Sequence, residues 1–407
     1  MMTRLSTVAL ALTLAGSATA VHAQDTRAQA EAAFQGDIHA TSGLQCASCH
    51  ATAASRAEAA ADAAVPRTAI APMCSRCHSD AAYMRQFDPQ VRIDQFSQYQ
   101  TSAHGQAMAT GDTRVATCSD CHGAHGVVRV RDTRSPVAPL NAAKTCAQCH
   151  ADSTLMQAFG HSTTPFADWS SSVHATALLK RSDTSAPTCH TCHGSHGATP
   201  PGVTEVANVC AQCHVREADL FTASPKKVIF DAMGQAECLV CHNNHAIQPP
   251  SDAHIGLTEP AVCATCHDAS MNGAATITAM RDTLDRLAAT LSSARAVVDQ
   301  AEHAGMLVDD ARVALQSARE QQIQSRVLVH TFALTAFTEA ATRGIEAAEN
   351  GQQGGERALQ ELQFRRQGLA IATLLILGFL MTLGWKIRQL GKAVDGAESP
   401  TGKAHDQ

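Results

Sequence analysis

The 407-residue sequence contains few aromatic side chains: 11 Phe, 2 Trp and 2 Tyr, or 4% of the residues. Its hydrophobic fraction of 45% consists largely of alanine, which contributes little burial per residue. A chain of this length therefore lacks the large side chains that fill an ordinary core. It also lacks an excess of positive charge, since 31 Lys and Arg stand against 37 Asp and Glu, which argues against a nucleic-acid-binding protein.

The sequence also lacks the composition of a disordered protein. Only 17% of its residues are charged, and its 16 cysteines are regularly spaced. The length corresponds to about two or three domains. Something other than side chains is expected to fill the interior.

The first 23 residues resemble a secretory signal peptide. Arg4 supplies the positive charge, the segment from Val8 to Ala15 is apolar, and small residues at Val21 and Ala23 form a cleavage site. We therefore expect the body of the protein to be exported.

A second apolar run lies near the other end of the chain. Gly368 to Trp385 contains eighteen residues and no charged one. As a helix it spans about 27 Å, enough to cross a bilayer core. Trp385 suits the membrane interface and basic Lys386 follows it, which predicts a C-terminal membrane anchor with a short cytoplasmic tail.

The cysteines all belong to one motif, C-x-x-C-H, which occurs eight times. The copies, numbered here as sites 1 to 8, are Cys46–His50, Cys74–His78, Cys118–His122, Cys146–His150, Cys189–His193, Cys210–His214, Cys238–His242 and Cys263–His267. This is the attachment signature of c-type haem: two thiols add to the vinyl groups, and the adjacent histidine ligates the iron.

Disulfide-rich domains and zinc ribbons are the two alternatives for such cysteine pairs. Disulfide chemistry does not require a histidine after each pair, and neither does a zinc ribbon. The covalent haem ligands are therefore predicted to be Cys46, Cys49, Cys74, Cys77, Cys118, Cys121, Cys146, Cys149, Cys189, Cys192, Cys210, Cys213, Cys238, Cys241, Cys263 and Cys266. The predicted proximal ligands are His50, His78, His122, His150, His193, His214, His242 and His267.

The motifs fall into repeated pairs, which predicts four modules of two haems each. About 30 residues per haem leave little protein for independent packing, so we expect porphyrins to form the interior. Two further histidines recur in the modules. His39, His104 and His174 lie upstream of a first motif, and His125, His196 and His245 lie three residues after a motif histidine.

We interpret these six histidines as distal ligands that give bis-histidine haems. A trailing histidine cannot turn back to its own haem but can reach a neighbour's iron. The module that begins at Cys238 lacks an upstream histidine, so one of the remaining histidines is expected to serve it. The remaining candidates are His161, His254, His303 and His330. His190, inside a motif, is expected to point outward.

The character of the sequence changes at Met271. Apolar residues from Ile277 to Val298 follow alternating three- and four-residue steps, which predicts a coiled-coil helix that ends near Gly305. A second helical stretch is predicted from about Asp309 to Glu349, with a turn at Gly351–Gly355 and a third helix running into the membrane. In this helical segment, His303 or His330 is a candidate to complete a terminal haem.

The CxxCHGxHG…CAQCH modules resemble periplasmic multihaem cytochromes related to cytochrome c3 and to carriers of outer-membrane conduits. The resemblance covers residues 39–267. The anchored layout is similar in function to tetrahaem quinol dehydrogenases. Those proteins have an N-terminal anchor and four or five haems, so a separate membrane partner such as a cytochrome b is expected to oxidise quinol here.

The predicted fold class is mainly α with extensive loop: a multihaem cytochrome c domain of little regular structure, then a helical hairpin or bundle and one transmembrane helix. The predicted divisions are a signal peptide (1–23), an octahaem domain (24–270), a helical stalk (271–366), a transmembrane helix (367–387) and a tail (388–407).

The sequence favours a single-pass protein of the inner membrane whose eight c-type haems lie in the periplasm. It would relay electrons from the quinol pool, or from a quinol-oxidising subunit, to a periplasmic or outer-membrane acceptor. The alternative is an octahaem oxidoreductase that acts on nitrite, hydroxylamine or tetrathionate. That chemistry needs a haem with an open distal face, and the surplus of histidines favours the carrier.

Overall fold

The computed structural model describes residues 28–50, 65–202 and 205–397, with side chains described as far as residue 392. The predicted signal peptide and the end of the predicted tail lie outside the described residues. The chain divides into two compact units. One comprises residues up to 215 together with 230–250, and the other comprises 216–229 together with the residues from 251 onward.

Helices are the only regular structure in the described part of the chain, which confirms the predicted fold class. As far as residue 242 they are short: α1 Ile38–Thr41, α2 Cys46–His50, α3 Arg67–His78, α4 Ala81–Met84, α5 Gln95–Thr101, α6 Ala103–Ala109, α7 Cys118–His122, α8 Pro139–His150, α9 Ser153–Ala158, α10 Pro165–Ser170, α11 Val173–Arg181, α12 Cys189–His193, α13 Val206–Ala211, α14 Val215–Thr222, α15 Pro225–Met233 and α16 Leu239–His242.

The attachment motifs themselves form helical turns that begin and end at defined signals. Helix α7 begins after Thr117, whose backbone N–H donates to Oδ2 of Asp120 at 2.7 Å. It ends at Gly123, whose φ of +85° is a conformation that favours glycine. Helix α12 repeats this arrangement between Thr188 and Gly194. Six motif histidines, those of sites 1 to 5 and site 7, are the last residue of a helix, whereas His214 and His267 follow the end of one.

The buried side chains of the first unit are few and mostly small. Its one extensive cluster contains Trp169 and Leu178, with Ala143 and Ala175 beside them. Most other buried apolar residues here are alanines. This agrees with the expectation that side chains alone do not fill the interior.

The second unit contains the long helices. They are α17 Ala274–His303, α18 Asp309–Leu328 and α19 Leu334–Ala397, and three short 3₁₀ helices precede or interrupt them at Asp252–His254, Val262–Thr265 and Val329–Thr331. The predicted seam of α17 is buried: Met280, Leu284, Leu287, Ala294 and Val298 are at most 2% exposed. The chain turns at Gly305, where φ is +80°.

The structure differs from the sequence prediction in where the later helices break. The second predicted stretch is interrupted at Val329–Thr331, and Phe332 has a left-handed φ of +50°. The turn predicted at Gly351–Gly355 is wrong, because α19 runs through these residues. A Cβ at Gly354 would lie 2.9 Å from Cβ of Ala311, so the glycines allow close helix packing instead of marking a turn.

The C-terminal half of α19 is the one described helix that is long and apolar enough to cross a membrane. The candidate span is Leu334–Lys392, with a mean hydropathy of 2.0 in its most apolar window, none of which is buried. Leu374, Leu375 and Phe379 are more than half exposed. The apolar run therefore makes no core within the chain.

Candidate haem sites

Six of the eight motif histidines face a second imidazole ring. The pairs, with the distance between ring centroids, are His50–His125 at 6.0 Å, His78–His39 at 6.0 Å, His122–His196 at 6.1 Å, His150–His104 at 6.1 Å, His193–His245 at 6.0 Å and His214–His174 at 6.4 Å. In each pair one ring belongs to an attachment motif and the other does not. All six predicted distal histidines occur in these pairs.

This spacing is the one that a metal between two imidazoles requires. With metal–nitrogen bonds of about 2 Å, the two ligating nitrogens lie about 4 Å apart and the ring centres about 6 Å apart. The motif cysteines on the same helical turns are free thiols, so each pair has its attachment residues beside it. The residues present therefore fit covalently attached haem.

The pairs follow two rules of connectivity. The histidine that trails motif 3 faces site 1, the one that trails motif 5 faces site 3, and the one that trails motif 7 faces site 5. Sites 2, 4 and 6 instead face an upstream histidine. In each of these pairs the trailing histidine faces a site other than its own, as the spacing predicts.

The upstream histidines share one local structure. Each is the second residue of a helix whose N-cap is buried: Asp37 before His39, Ser102 before His104, and Ser172 before His174. The N-cap side chain accepts a backbone N–H in the first turn, which fixes the start of the helix. The histidine is thereby held at a fixed point relative to the cap.

Hydrogen bonds orient two of the rings further. Nδ1 of His39 lies 2.8 Å from Oδ1 of Asp37, whose side chain is 1% exposed. Nδ1 of His193 lies 3.3 Å from the carbonyl oxygen of Thr199. With the proton on Nδ1, Nε2 keeps its lone pair for a metal.

Burial also keeps most of these rings neutral. Removal from water lowers the pKa of His78, His104, His122, His150, His174, His196 and His245 below the ordinary value. At neutral pH the neutral ring therefore dominates, and this is the form that ligates a metal.

Contacts between cysteines bring neighbouring sites together. The thiol of Cys74 is hydrogen-bonded to Cys118, and this interaction lowers the pKa of Cys118 to about 7. The same interaction joins Cys146 to Cys189, and Cys238 to Cys210. Sites 2 and 3, 4 and 5, and 6 and 7 are therefore adjacent at their attachment edges.

The four remaining candidate histidines lie in four different local structures. Nδ1 of His303 is 2.6 Å from the carbonyl of Asp299 at the end of α17, and Nδ1 of His330 is 2.9 Å from the carbonyl of Val327. His254 lies in a 3₁₀ helix, and His161 is exposed after α9. The exposed ring of His190 bonds to Thr188. The partner of His242 stays a prediction among the four candidates.

The structure adds one residue that the sequence analysis missed. Nζ of Lys226 lies 2.8 Å from Nε2 of His267, the motif histidine of site 8. The recurrence of histidine in the sequence does not point to this residue, because it is a lysine. The signal that identifies Lys226 is the spacing of Phe221 and Ser224 before it, which matches the residues before the upstream histidines.

Attachment motifs beside paired imidazoles define the class of the protein: it is a multihaem c-type cytochrome. Residues 38–151 and 181–268 match the model of the cytochrome c3 family, so this region of the chain is similar to that family. It is thus an electron-transfer cytochrome with covalently bound c-type haem. No curated protein and no solved structure gives a match to the chain.

Proposed function

We propose that the protein is a membrane-anchored octahaem cytochrome that carries electrons from the quinol pool, or from a membrane partner, to periplasmic or outer-membrane acceptors. The observation that supports a carrier is that six motif histidines each face a second histidine at 6.0–6.4 Å. An iron ligated by both rings has no position left for a substrate. Such a site exchanges electrons without binding one.

When bound, each haem supplies an iron that takes up or releases one electron. The chain's own residues hold that iron and set its environment. The paired imidazoles exclude other ligands, and the Asp37 carboxylate beside His39 strengthens one imidazole as a donor. The cysteine contacts place neighbouring sites side by side, as a relay requires.

The proposed location rests on the two ends of the chain. The signal sequence at residues 1–23 would direct export, and the apolar run Gly368–Trp385 within α19 would anchor the protein in the inner membrane. With the N-terminal body exported, the haem domain lies in the periplasm. A membrane-impermeant amine reagent added to spheroplasts should then label lysines of the haem domain and spare a lysine-containing tag placed after Gln407.

The proposed partner is a membrane protein that oxidises quinol. The apolar run Gly368–Trp385 contains no histidine that would hold a haem within the membrane. A cytochrome b subunit would supply that step. Membranes containing such a subunit should reduce the cytochrome on addition of a quinol, and the purified protein alone should remain oxidised.

The central test is made on the purified full-length holoprotein in detergent. Mass spectrometry is expected to show eight haems, and the ferric EPR spectrum only low-spin iron. A high-spin signal together with turnover of nitrite, hydroxylamine or tetrathionate would contradict the carrier and support the oxidoreductase. A mass that corresponds to fewer haems would contradict the count of eight.

A further inference from the structure

Site 8 differs from the sites described above in the residue that faces its motif histidine. Nζ of Lys226 lies 2.8 Å from Nε2 of His267, and both residues belong to the second compact unit. An amine has a lone pair when it is deprotonated and then binds a metal as a nitrogen ligand. The question is whether this lysine occupies a ligand position.

Lys226 lies in the same local sequence and backbone arrangement, called here the frame, as the upstream histidines. In that frame an aromatic residue is followed three positions later by a buried Asp or Ser, and the ligand comes two positions after that. The four occurrences are Phe34–Asp37–His39, Tyr99–Ser102–His104, Trp169–Ser172–His174 and Phe221–Ser224–Lys226.

The same backbone hydrogen bond closes the frame each time. The N–H of the buried residue donates to the carbonyl of the aromatic residue, at 3.0 Å for Asp37, 3.0 Å for Ser102, 2.9 Å for Ser172 and 2.9 Å for Ser224. The hydroxyls of Ser102 and Ser224 both donate to that carbonyl as well, at 2.6 Å. Lys226, like the three histidines, is the second residue of the helix that follows.

The pairing rule is also the same. His39, His104 and His174 precede the first motif of a module and face the histidine of its second motif. Lys226 precedes the motif at Cys238 and faces His267, which ends the next motif. The lysine therefore stands where the fourth upstream histidine is missing.

We propose that Lys226 is the sixth ligand of the haem attached through Cys263 and Cys266, so that this haem has histidine–lysine ligation. This inference rests on the proposed eighth haem. In the bound state the two nitrogens must lie about 4 Å apart, which exceeds the observed 2.8 Å by about 1 Å. The long lysine side chain accommodates this by rotamer adjustment, and its proton leaves to solvent when the amine binds.

A pair of aromatic rings lies beside the lysine. The ring of Phe332 lies 5.7 Å from Nζ, and it meets Phe221 edge to face at 6.3 Å. Phe332 has a left-handed φ of +50°, which is unfavourable for a residue with a side chain. The residue with this unfavourable backbone conformation is thus the one whose ring lies beside the Lys226 amine.

This ligation gives the last site a character of its own. Axial ligand identity is a main determinant of haem potential, and an aliphatic amine is a harder donor than imidazole. Site 8 would therefore have a different potential from its bis-histidine neighbours.

The test is near-infrared magnetic circular dichroism of the ferric full-length holoprotein. Wild type should show the charge-transfer band of bis-histidine haem and a weaker band at higher energy from histidine–lysine ligation. Lys226→His should lose the weaker band and remain fully low-spin, because three equivalent positions already carry histidine. Lys226→Ala should convert about one haem in eight to the high-spin form, as measured by EPR.

Lys180→Met is the matched control, because it removes a lysine charge from the exposed end of α11. Its spectra should equal those of wild type. A wild-type spectrum without the second band, or one with high-spin iron, would overturn the proposal. Peptide mapping that finds no haem on Cys263 and Cys266 would instead contradict the haem count on which the proposal rests.

Discussion

At the scale of single residues, the histidine pairs differ in the angle between their rings. The rings are within 16° of parallel in His50–His125, His122–His196 and His193–His245. They are 88° apart in His39–His78. Parallel rings interact with the same iron d orbital and separate it from its partner, whereas perpendicular rings leave the two orbitals nearly equal in energy.

This difference predicts two kinds of low-spin EPR signal. The parallel pairs should give rhombic spectra, and His39–His78 should give a strongly anisotropic signal with one very large g value. In His39→Met the anisotropic component should disappear, and in the matched variant His125→Met part of the rhombic component should disappear instead. If His39→Met leaves the anisotropic signal intact, that signal does not come from site 2.

A second prediction concerns the carboxylate beside His39. Oδ1 of Asp37 lies 2.8 Å from Nδ1 of His39, and its other oxygen accepts the backbone N–H of Val127. A carboxylate that accepts this proton makes the imidazole a stronger donor and so stabilises ferric iron. Asp37→Asn should therefore raise the midpoint potential of site 2, on the order of tens of millivolts.

The measurement is a spectroelectrochemical titration followed by EPR. Asp152→Asn is the control. The Asp152 side chain caps α9 by accepting the backbone N–H groups of Thr154 and Leu155, neither of which is a histidine. It should leave every potential unchanged. An equal shift in both variants would mean that the effect comes from the loss of a negative charge and not from the bond to His39.

The repeats in the sequence were enough to single out the six histidines that face a motif histidine, but not Lys226. His39, His104 and His174 stand out because the residue type recurs, and the structure pairs each with a motif histidine. Lys226 shares their position but not their side chain. All four positions share the buried Asp or Ser two residues earlier and the aromatic residue three residues before that. These two residues fix the backbone, whereas the side chain that faces the motif histidine differs.

At the scale of elements, the packing of α19 depends on glycine. A Cβ at Gly354 would lie 2.9 Å from Cβ of Ala311 in α18, and one at Gly351 would lie 3.0 Å from Leu315. Gly354→Val should therefore force the helices apart and destabilise the bundle by about 1–3 kcal/mol. Thermal unfolding followed by far-ultraviolet circular dichroism measures the change.

Gly368→Val is the matched control for this variant. A Cβ at Gly368 meets no atom within 4 Å, and the residue lies in the same helix. The helix propensities of the two substitutions are equal, so only packing distinguishes them. Equal melting temperatures for the two variants would contradict the role of Gly354 in close packing.

The periodicity of the sequence predicts the helices of this unit better than their ends. The seam from Ile277 to Val298 is buried as expected, because an apolar stripe along one face of a helix packs against another apolar surface. The glycines at 351–355 predicted a turn because glycine is a weak helix former. Contacts with Ala311 and Leu315, which are distant in sequence, override that preference, and local pattern does not contain them.

At the scale of the whole molecule, the two units have different kinds of interior. In the second unit, Leu284, Leu287, Val298 and Phe337 are completely buried, as in an ordinary helical bundle. In the first, Leu178 is the one large apolar side chain that is completely buried among the described residues. Porphyrins held by the paired histidines of that unit would supply the apolar surface that large side chains do not.

The last prediction follows from this difference: haem should be required for folding of the first unit but not for the bundle formed by α17, α18 and α19. When the full-length chain is produced without haem attachment, limited proteolysis should degrade the part before residue 216 and leave a resistant fragment that begins near Ala274. Apolar burial of about 25 cal/mol per Å² stabilises the bundle without a cofactor, whereas the first unit has few large side chains to bury.

The holoprotein digested under the same conditions is the control, and its haem-bearing region should resist the protease. Replacing both cysteines of one inner motif, Cys146→Ser and Cys149→Ser, provides an intermediate case. Loss of one haem should expose cleavage sites near His104 and His150, whose rings face each other at 6.1 Å, before the rest of the unit is degraded. If the haem-free chain resisted the protease as well as the holoprotein does, side chains alone would be sufficient for the first unit to fold.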